Sequence, residues 1–376
     1  MNKAEQFIQS RLQQRADKGI LRALSSTTLP IDFSSNDYLG FARSAELKIR
    51  TATTLGQIQH YKNGSTGSRL LSGNHPFTEK TEQTIADFHQ AEAGLIFNSG
   101  YDANIGLISS LAQRGDTIIS DELIHASLID GARLSHANRY TFKHNNLDEL
   151  EAKLKIAKGN VYVLTESVYS MDGDIAPLAE INNLCQQYQA QLIVDEAHAL
   201  GIFGDHGKGL VQMLGLEKEV FARIVTFGKA LGCHGAIVLG NTNLRTYLIN
   251  FARSFVYTTA APIHSIAAIQ SAYQMLITTD YTIQIKSKIA LYLDLLKNSN
   301  IRTIESVSAI QTVLFNDNIE AKAAAQTLQN QGLDVRAILS PTVAEGKERL
   351  RICLHLFNSE QEIEKLINEL KTLKHE

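Results

Sequence analysis

Six short apolar runs between about residues 80 and 265 constrain the fold more than any other feature of the sequence. Helix-like segments separate the runs, which are LIF (95–97), TIIS (117–120), VYVLT (161–165), QLIV (191–194), RIVTF (223–227) and AIVLG (236–240). Strands that are buried on both faces have continuous rather than alternating apolar sequence. The pattern therefore predicts an α/β fold with a mainly parallel, mixed sheet flanked by helices.

The flanking sequence predicts a division into three parts. Residues 1–45 are expected to form an N-terminal arm, whose apolar residues at broadly helical spacing pack onto the body, and the start of a small domain. Residues 46–270 form the large domain and residues 271–376 a smaller α+β domain. In the latter, QTVLF (311–315), DVRAIL and RLRICLHLF indicate strands and EAKAAAQTLQNQG a helix. Ser359 and Glu362 make a capping box that begins the last helix.

Composition excludes several classes of function. Of the 376 residues 44% are hydrophobic and 20% are charged, which is typical of a soluble globular protein. The net charge of −3 gives no basic face for nucleic acid. The three cysteines form no C-x-x-C pair, so we expect neither a disulfide framework nor a metal site. Residues 1–19 lack the continuous apolar centre typical of a signal peptide, and no apolar run reaches about 18 residues, so a cytoplasmic protein that spans no membrane is expected.

The letters D-E-A-H at residues 195–198 raise the alternative of a nucleotide-driven motor. Such a motor also needs the phosphate-binding loop G-x-x-x-x-G-K-[ST]. The nearest stretch, GDHGKGL, has Gly209 after Lys208 and therefore no hydroxyl for magnesium. Asp195 and His198 are better explained by other chemistry.

Polar residues follow the apolar runs at the points where the strands would end. They include Glu166, Asp195, and Thr226 with Lys229. In open α/β sheets ligands bind beyond the carboxyl ends of the strands, so these side chains are expected to converge. A lysine for a Schiff base and a carboxylate for a pyridine nitrogen are the groups that pyridoxal phosphate requires. A solvated loop lysine is the alternative for Lys229 when it is considered alone.

Eight ordered blocks resemble the α-oxoamine synthases, which are fold-type-I pyridoxal phosphate enzymes with an aspartate aminotransferase-like fold. The blocks cover nearly the whole chain: DFSSNDYLGF (32–41), GSTGSRLLSGN (64–74), FNSGYDAN (97–104), IHASLIDGA (124–132), TESVYSMDGDIAPL (165–178), VDEAHALG, TFGKALG and SPTVAEGKERLR (340–351). The resemblance implies that Lys229 forms the Schiff base and Asp195 pairs with the pyridine nitrogen. It places His198 and Ser170 near the phenolic oxygen of the cofactor and stacks His125 on the cofactor ring. Without the resemblance, His125 would more often be a structural histidine.

The same resemblance implies further binding residues. Gly100 and Tyr101 would offer backbone amides, and Thr226 a hydroxyl, to the cofactor phosphate. Glu166 would support the site through hydrogen bonds, although a purely structural role is an equal alternative.

Substrate residues are also implied by the resemblance. Arg351 would bind the amino-acid carboxylate with help from Asn36, unless it is an ordinary surface arginine. Arg22 and Thr342 would contact the acyl group. A homodimer is implied, with residues 64–74 contributing across the subunit boundary.

Within the family, the chain is most similar to the branch that condenses L-alanine with a pimeloyl thioester in biotin synthesis. The acyl group would come from pimeloyl-CoA or a pimeloyl-carrier protein. Glycine acetyltransferase, 5-aminolevulinate synthase and serine palmitoyltransferase share the motifs and remain alternatives. Two departures, Ala199-Leu200 after the histidine and Ala344 in the last block, leave the acyl chain open.

Overall fold

The computed structural model describes residues 2–24, 26, 28–297 and 299–373. Its strands are β1 (Ile31–Asp32), β2 (Ala93–Phe97), β3 (Thr117–Asp121), β4 (Asn138–Phe142), β5 (Val161–Glu166), β6 (Gln191–Asp195), β7 (Ala222–Thr226), β8 (Ala236–Gly240), β9 (Ile310–Leu314), β10 (Leu333–Asp334), β11 (Arg336–Ile338) and β12 (Arg349–Cys353).

Seven strands form the central sheet, in the order β2-β8-β7-β6-β5-β3-β4. Strand β8 runs antiparallel to both of its neighbours, and the other neighbouring pairs are parallel. All six apolar runs lie on strands of this sheet, which confirms the predicted mainly parallel, mixed α/β fold. The carboxyl ends of β3, β5, β6 and β7 consequently share one edge.

Fourteen α-helices are described, most of them packed around the central sheet. They are α1 (Lys3–Asp17), α2 (Ala45–Gly56), α3 (Pro76–Phe88), α4 (Gly100–Leu111), α5 (Ala126–Leu134), α6 (Leu147–Leu154), α7 (Leu178–Gln187), α8 (Leu210–Met213), α9 (Thr242–Phe251), α10 (Arg253–Val256), α11 (Ile263–Thr278), α12 (Thr282–Leu296), α13 (Asn318–Asn330) and α14 (Glu360–Thr372). In the described ranges, none of these helices has both the length and the apolar character needed to cross a bilayer.

The core lies on both faces of the central sheet. Leu95, Ile119, Val163, Val194 and Ile224 come from five different strands, and their side chains are almost completely buried. Burial on both faces explains why these strands have continuous apolar sequence.

The C-terminal region contains two smaller sheets. Strands β11, β12 and β9 form an antiparallel sheet, and β1 pairs in parallel with β10. Helix α14 begins at the predicted capping box of Ser359 and Glu362. The predicted stripe is buried at Ile363, Leu366, Ile367 and Leu370, and Leu373 packs against the core from the helix end. Helix α11 runs without a break across residues 270 and 271, and the division into domains stays a prediction.

The expected packing of the N-terminal arm onto the body is wrong for helix α1. The helix forms, but none of its residues is buried, and Phe7, Ile8 and Leu12 are exposed. Three large apolar side chains in fifteen residues give too little apolar area to dock the helix. After the helix, the carbonyl of Gly19 accepts a hydrogen bond from Lys322 in helix α13.

Candidate active site

A cleft of about 280 Å³ lies at the carboxyl ends of β5, β6 and β7. Eight residues predicted from the sequence line it: Asn36, Gly100, Tyr101, His125, Glu166, Asp195, Thr226 and Lys229. The expected convergence of these side chains on one crevice is therefore observed. A larger cleft, of about 790 Å³, lies around Gln191 and Gly240, and no predicted site residue lines it.

Asp195 is fixed in this cleft by hydrogen bonds to both carboxylate oxygens. The side-chain nitrogen of Asn104 donates to Oδ2 at 2.8 Å, and the backbone N–H of Ala197 donates to Oδ1 at 2.9 Å. Asp195 is 5% exposed, at the end of a central strand. A buried carboxylate held in this way can pair with a cationic ring nitrogen without rearranging.

His125 precedes helix α5 and is held through its Nδ1 atom. Nδ1 lies 2.7 Å from the hydroxyl of Ser127 and accepts the backbone N–H of the same residue at 3.3 Å. Burial lowers the pKa of His125, with Lys229 adding to the shift and Asp195 opposing it. The neutral ring accepts at Nδ1, so its proton lies on Nε2, which can donate to a substrate oxygen.

Lys229 and Glu166 are titratable groups that line the cleft; Glu166 is buried and Lys229 is half-buried. Burial lowers the pKa of Lys229 to about 8, against the opposing attraction of Asp195 and Glu166. Burial, together with the charge of Asp195, raises the pKa of Glu166 to about 8. A lysine with a lowered pKa is more readily available as a neutral, nucleophilic amine.

The start of helix α4 forms a cradle suited to a phosphate. Ser99 caps the helix, and Gly100 and Tyr101 are its first two residues, so their backbone N–H groups have no partner within the helix. Oγ1 of Thr226 is buried without a hydrogen-bond partner among the described residues. A Cβ at Gly100 would lie 2.6 Å from the Thr226 methyl group. An anion in this cradle would satisfy the unpaired donors.

Arg351 projects from β12 into the same region and is almost completely buried, not a surface arginine. Nη2 donates to Oδ1 of Asn36 at 2.9 Å, and Nε donates to the carbonyl of Ser170 at 2.7 Å. The structure thus brings Asn36 and Arg351 together, and Ser170 contributes its backbone carbonyl. Asn36 lines the cleft, whereas Arg351 and Ser170 are not among the residues that line it.

The two residues predicted to contact the acyl group meet each other. Nη2 of Arg22 donates to Oγ1 of Thr342 at 3.2 Å, across 320 residues of sequence. The contact joins the N-terminal segment to the C-terminal region of the chain.

Two residues that were not predicted from the sequence hold predicted site residues in place. Asn104 lies one helical turn after Gly100 and binds Asp195, and Tyr38 binds His198. Both occur in the quoted blocks FNSGYDAN and DFSSNDYLGF, so their presence in those blocks was the available signal.

Glu196, the second residue of the D-E-A-H sequence, is buried and held by hydrogen bonds. Its Oε2 accepts from Nη2 of Arg223 at 2.6 Å, and its Oε1 accepts the backbone N–H of Val211 at 2.9 Å. Both side chains of this ion pair are buried. Asp195 lines the cleft, whereas Glu196 is not among the residues that line it.

Comparison with known proteins agrees with this geometry. The family model "Aminotransferase class I and II" matches residues 29–370. An 8-amino-7-oxononanoate synthase from Emericella nidulans is 43% identical over 96% of this chain and 93% of its own length. A putative 8-amino-7-oxononanoate synthase from Bacillus licheniformis is 38% identical over 98% of this chain and 97% of its own.

Solved structures show the same fold. A structure of SPT with its PLP internal aldimine has a TM-score of 0.90 at 26% identity, covering 99% of this chain and 98% of that one. An 8-amino-7-oxononanoate synthase from Francisella tularensis has a TM-score of 0.77 at 27% identity, covering 91% of this chain and 96% of that one. These matches confirm the resemblance: the chain belongs to the class I and II aminotransferase family, among the 8-amino-7-oxononanoate synthases.

Proposed function

We propose that the protein is a pyridoxal phosphate-dependent acyltransferase that condenses L-alanine with a pimeloyl thioester. The products are 8-amino-7-oxononanoate, carbon dioxide and the free thiol, in biotin synthesis. The observation that carries this proposal is that Lys229 and Asp195 line one cleft, next to the cradle at the start of α4. The names of relatives that match nearly the whole chain support the choice of substrates.

The residues of the cleft fit the cofactor group by group. Lys229 would supply the amine that attaches it, and Asp195 would pair with its ring nitrogen. The N–H groups of Gly100 and Tyr101 and the hydroxyl of Thr226 would hold its phosphate. When bound, pyridoxal phosphate supplies an electron sink for the electron pair left on the amino acid when a proton is removed.

The side chains of the chain itself then orient the amino acid and move its proton. Arg351, with Asn36, binds the carboxylate of L-alanine. The Nζ amine of Lys229 accepts the α-proton as a general base, for which its lowered pKa is suited. Nε2–H of His125 donates to the thioester oxygen as negative charge develops there.

Arg22 and Thr342 would contact the acyl group, and their contact with each other supports a shared role. Of the residues that depart from the family pattern, Ala199 and Leu200 are buried in the core and Ala344 is exposed, and none of the three is among those that line the cleft. Their change therefore leaves the proposed binding groups in position.

The choice of substrates is tested with purified protein and a panel of donors. Alanine, glycine and serine are each combined with pimeloyl, acetyl, succinyl and palmitoyl thioesters of coenzyme A, and products are identified by mass spectrometry. We expect the pair of alanine and the pimeloyl thioester to be turned over fastest. Faster turnover of glycine with the acetyl thioester would overturn the substrate assignment.

Cofactor attachment is tested separately. Borohydride reduction of the yellow protein should discharge its colour and add the cofactor mass to the peptide containing Lys229. Lys229→Ala should lose this label, whereas Lys208→Ala should keep it, since Lys208 binds Asp205 away from the cleft. A label on any other lysine would contradict the assignment.

We also propose a cytoplasmic homodimer. Leu70 and Leu71, in residues 64–74, are 50% and 85% exposed in the single chain, which supports their burial by a second copy. The three cysteines are unpaired, which supports a reducing compartment. Light scattering of wild type and Leu71→Glu tests the dimer, which the variant should weaken.

A further inference from the structure

A continuous path of hydrogen bonds leads away from the Lys229 amine. Nζ of Lys229 lies 2.7 Å from Nε2 of His198. Nδ1 of His198 lies 2.7 Å from the hydroxyl of Tyr38, which in turn lies 3.2 Å from Oδ1 of Asn36. Tyr38 and His198 are buried, so water does not compete for these groups. We call these four side chains the Tyr38 path.

Arg351 determines which atom donates and which accepts in each hydrogen bond of the Tyr38 path. A guanidinium can only donate, so the atom of Asn36 that faces Nη2 at 2.9 Å is the amide oxygen. Tyr38 therefore donates its single proton to this oxygen. Its own oxygen is then free to accept from Nδ1–H of His198. With its proton on Nδ1, the neutral ring presents a lone pair at Nε2 to the Lys229 ammonium.

The opposite arrangement brings like groups together. If Tyr38 donated to His198, its oxygen would face the Asn36 oxygen with lone pairs on both atoms. The His198 proton would then lie on Nε2 and point at the Lys229 ammonium across 2.7 Å. Burial, with the charges of Lys229 and Arg351, holds the pKa of His198 well below its usual value, so the ring carries only one proton.

We propose that Tyr38 is a positioning residue for Lys229: its hydroxyl holds His198 in the Nδ1–H tautomer, so that Nε2 accepts a hydrogen bond from the lysine ammonium. The inference rests on the proposed function in that Lys229 is the amine that attaches the cofactor. Tyr38 acts on that amine through His198 and is not among the residues that line the cleft.

Other charged and titratable groups also face the two ends of the path. Around Lys229 and His198 these groups are Asp195, Glu166, Arg351, Cys353 and His125. The Tyr38 hydroxyl also interacts with Arg351, so Tyr38→Phe removes that interaction together with the path. The Arg351 charge itself stays in place, and the position of the His198 proton, observed directly, decides the inference.

Neutron diffraction from crystals of the deuterated, cofactor-free wild-type protein tests the tautomer directly, at a pH below the pKa of Lys229. We expect one deuteron on Nδ1 of His198, none on Nε2, and the Tyr38 deuteron directed at Asn36. A deuteron on Nε2 would overturn the inference. This result does not depend on cofactor attachment, so it can fail while the borohydride experiment succeeds.

The effect on Lys229 is measured by the pH dependence of pyridoxal phosphate uptake by the cofactor-free protein, because attack requires the neutral amine. In Tyr38→Phe the His198 proton loses its acceptor and moves to Nε2, which favours the neutral amine. We expect the pH at which uptake reaches half of its maximal rate to fall by about one unit. This shift corresponds to a tenfold change in the protonation equilibrium of Lys229.

Tyr292→Phe is the matched control, because Tyr292 is completely buried and its hydroxyl has no hydrogen-bond partner among the described residues. Its uptake midpoint should equal that of wild type. An unchanged midpoint in Tyr38→Phe would refute the inference. If circular dichroism shows that Tyr38→Phe does not fold, the neutron structure of the wild type decides the question.

Discussion

The side-chain nitrogen of Asn104 lies 2.8 Å from Oδ2 of Asp195, and the same nitrogen lies 2.9 Å from the hydroxyl of Ser127. Ser127 in turn contacts Nδ1 of His125. One amide group thus ties the carboxylate proposed to face the cofactor nitrogen to the histidine proposed to stack on its ring. The two residues come from different strand ends, and Asn104 on helix α4 fixes their relative position.

Replacing Asn104 with Leu should weaken cofactor binding, because Asp195 loses a charge-assisted hydrogen bond inside the cleft. We expect cofactor affinity and kcat/KM to fall by about 10- to 100-fold, which corresponds to about 1.5–3 kcal/mol. Absorbance titration of the cofactor and steady-state kinetics measure both. Asn182→Leu is the control, since Asn182 is equally buried but binds Glu219 outside the cleft. Equal losses in both variants would show a general effect on folding.

The methyl group of Thr226 leaves no room for a side chain at Gly100. A Cβ at position 100 would lie 2.6 Å from Cγ2 of Thr226, so Gly100→Ala should displace the start of α4 or Thr226. We expect cofactor affinity to fall by about 5- to 150-fold, the equivalent of about 1–3 kcal/mol of overpacking.

The double variant Gly100→Ala with Thr226→Ser tests the cause of this loss. Serine keeps the hydroxyl and lacks the methyl group in question, so affinity should return most of the way to that of Thr226→Ser alone. Gly56→Ala is the control, because a Cβ there meets no atom within 4 Å. A double variant as weak as Gly100→Ala would rule out the steric explanation.

The strands of the central sheet were predictable where burial imposes continuous apolar sequence. Strand β4 was not predicted, because it lies at the sheet edge and its residues Asn138 and Arg139 are exposed. For helix α1, the spacing of its apolar residues correctly predicted a helix. That spacing does not show whether the helix has enough apolar area to pack onto the rest of the protein.

Two features made the site predictable: polar residues follow the ends of predicted strands, and the sequence blocks around them resemble a known family. Asp195 and Lys229 were identified in this way, and the structure brings them into one cleft. Asn104 and Tyr38 were not, since their importance depends on contacts across 91 and 160 residues of sequence. Neither residue type signals such a contact by itself.

His144 joins the end of strand β3 to the loop that contains Asp174 by binding two carboxylates. Nδ1 lies 3.1 Å from Oδ1 of Asp121, and Nε2 lies 2.7 Å from Oδ2 of Asp174. Burial alone would lower the pKa of His144, but the hydrogen bonds and charges of the two aspartates outweigh it and raise the pKa to about 10. The ring is therefore doubly protonated at neutral pH.

A histidine with a raised pKa stabilises the folded state most fully below its unfolded pKa of about 6.5. This contribution is lost as the pH rises towards about 10. His144→Asn should therefore lower the free energy of unfolding near pH ~6, and its difference from wild type should shrink as the pH rises. Urea unfolding across this range measures the effect. His136→Asn is the control, because His136 is exposed and has a positive φ that asparagine accommodates. A difference that stays constant with pH would contradict the charged state of His144.

Glu196 and Arg223 form a buried ion pair whose role is predicted to be structural. Glu196→Leu leaves the Arg223 guanidinium without its carboxylate, and removal of one partner from such a pair costs about 3–5 kcal/mol of folding free energy. Urea unfolding should show this loss, whereas Glu46→Gln, in an exposed pair with Arg50, should cost less than about 1 kcal/mol. Folded Glu196→Leu protein should bind the cofactor as wild type does, because Glu196 is not among the residues that line the cleft. Unchanged stability together with lost cofactor binding would instead assign Glu196 to the active site.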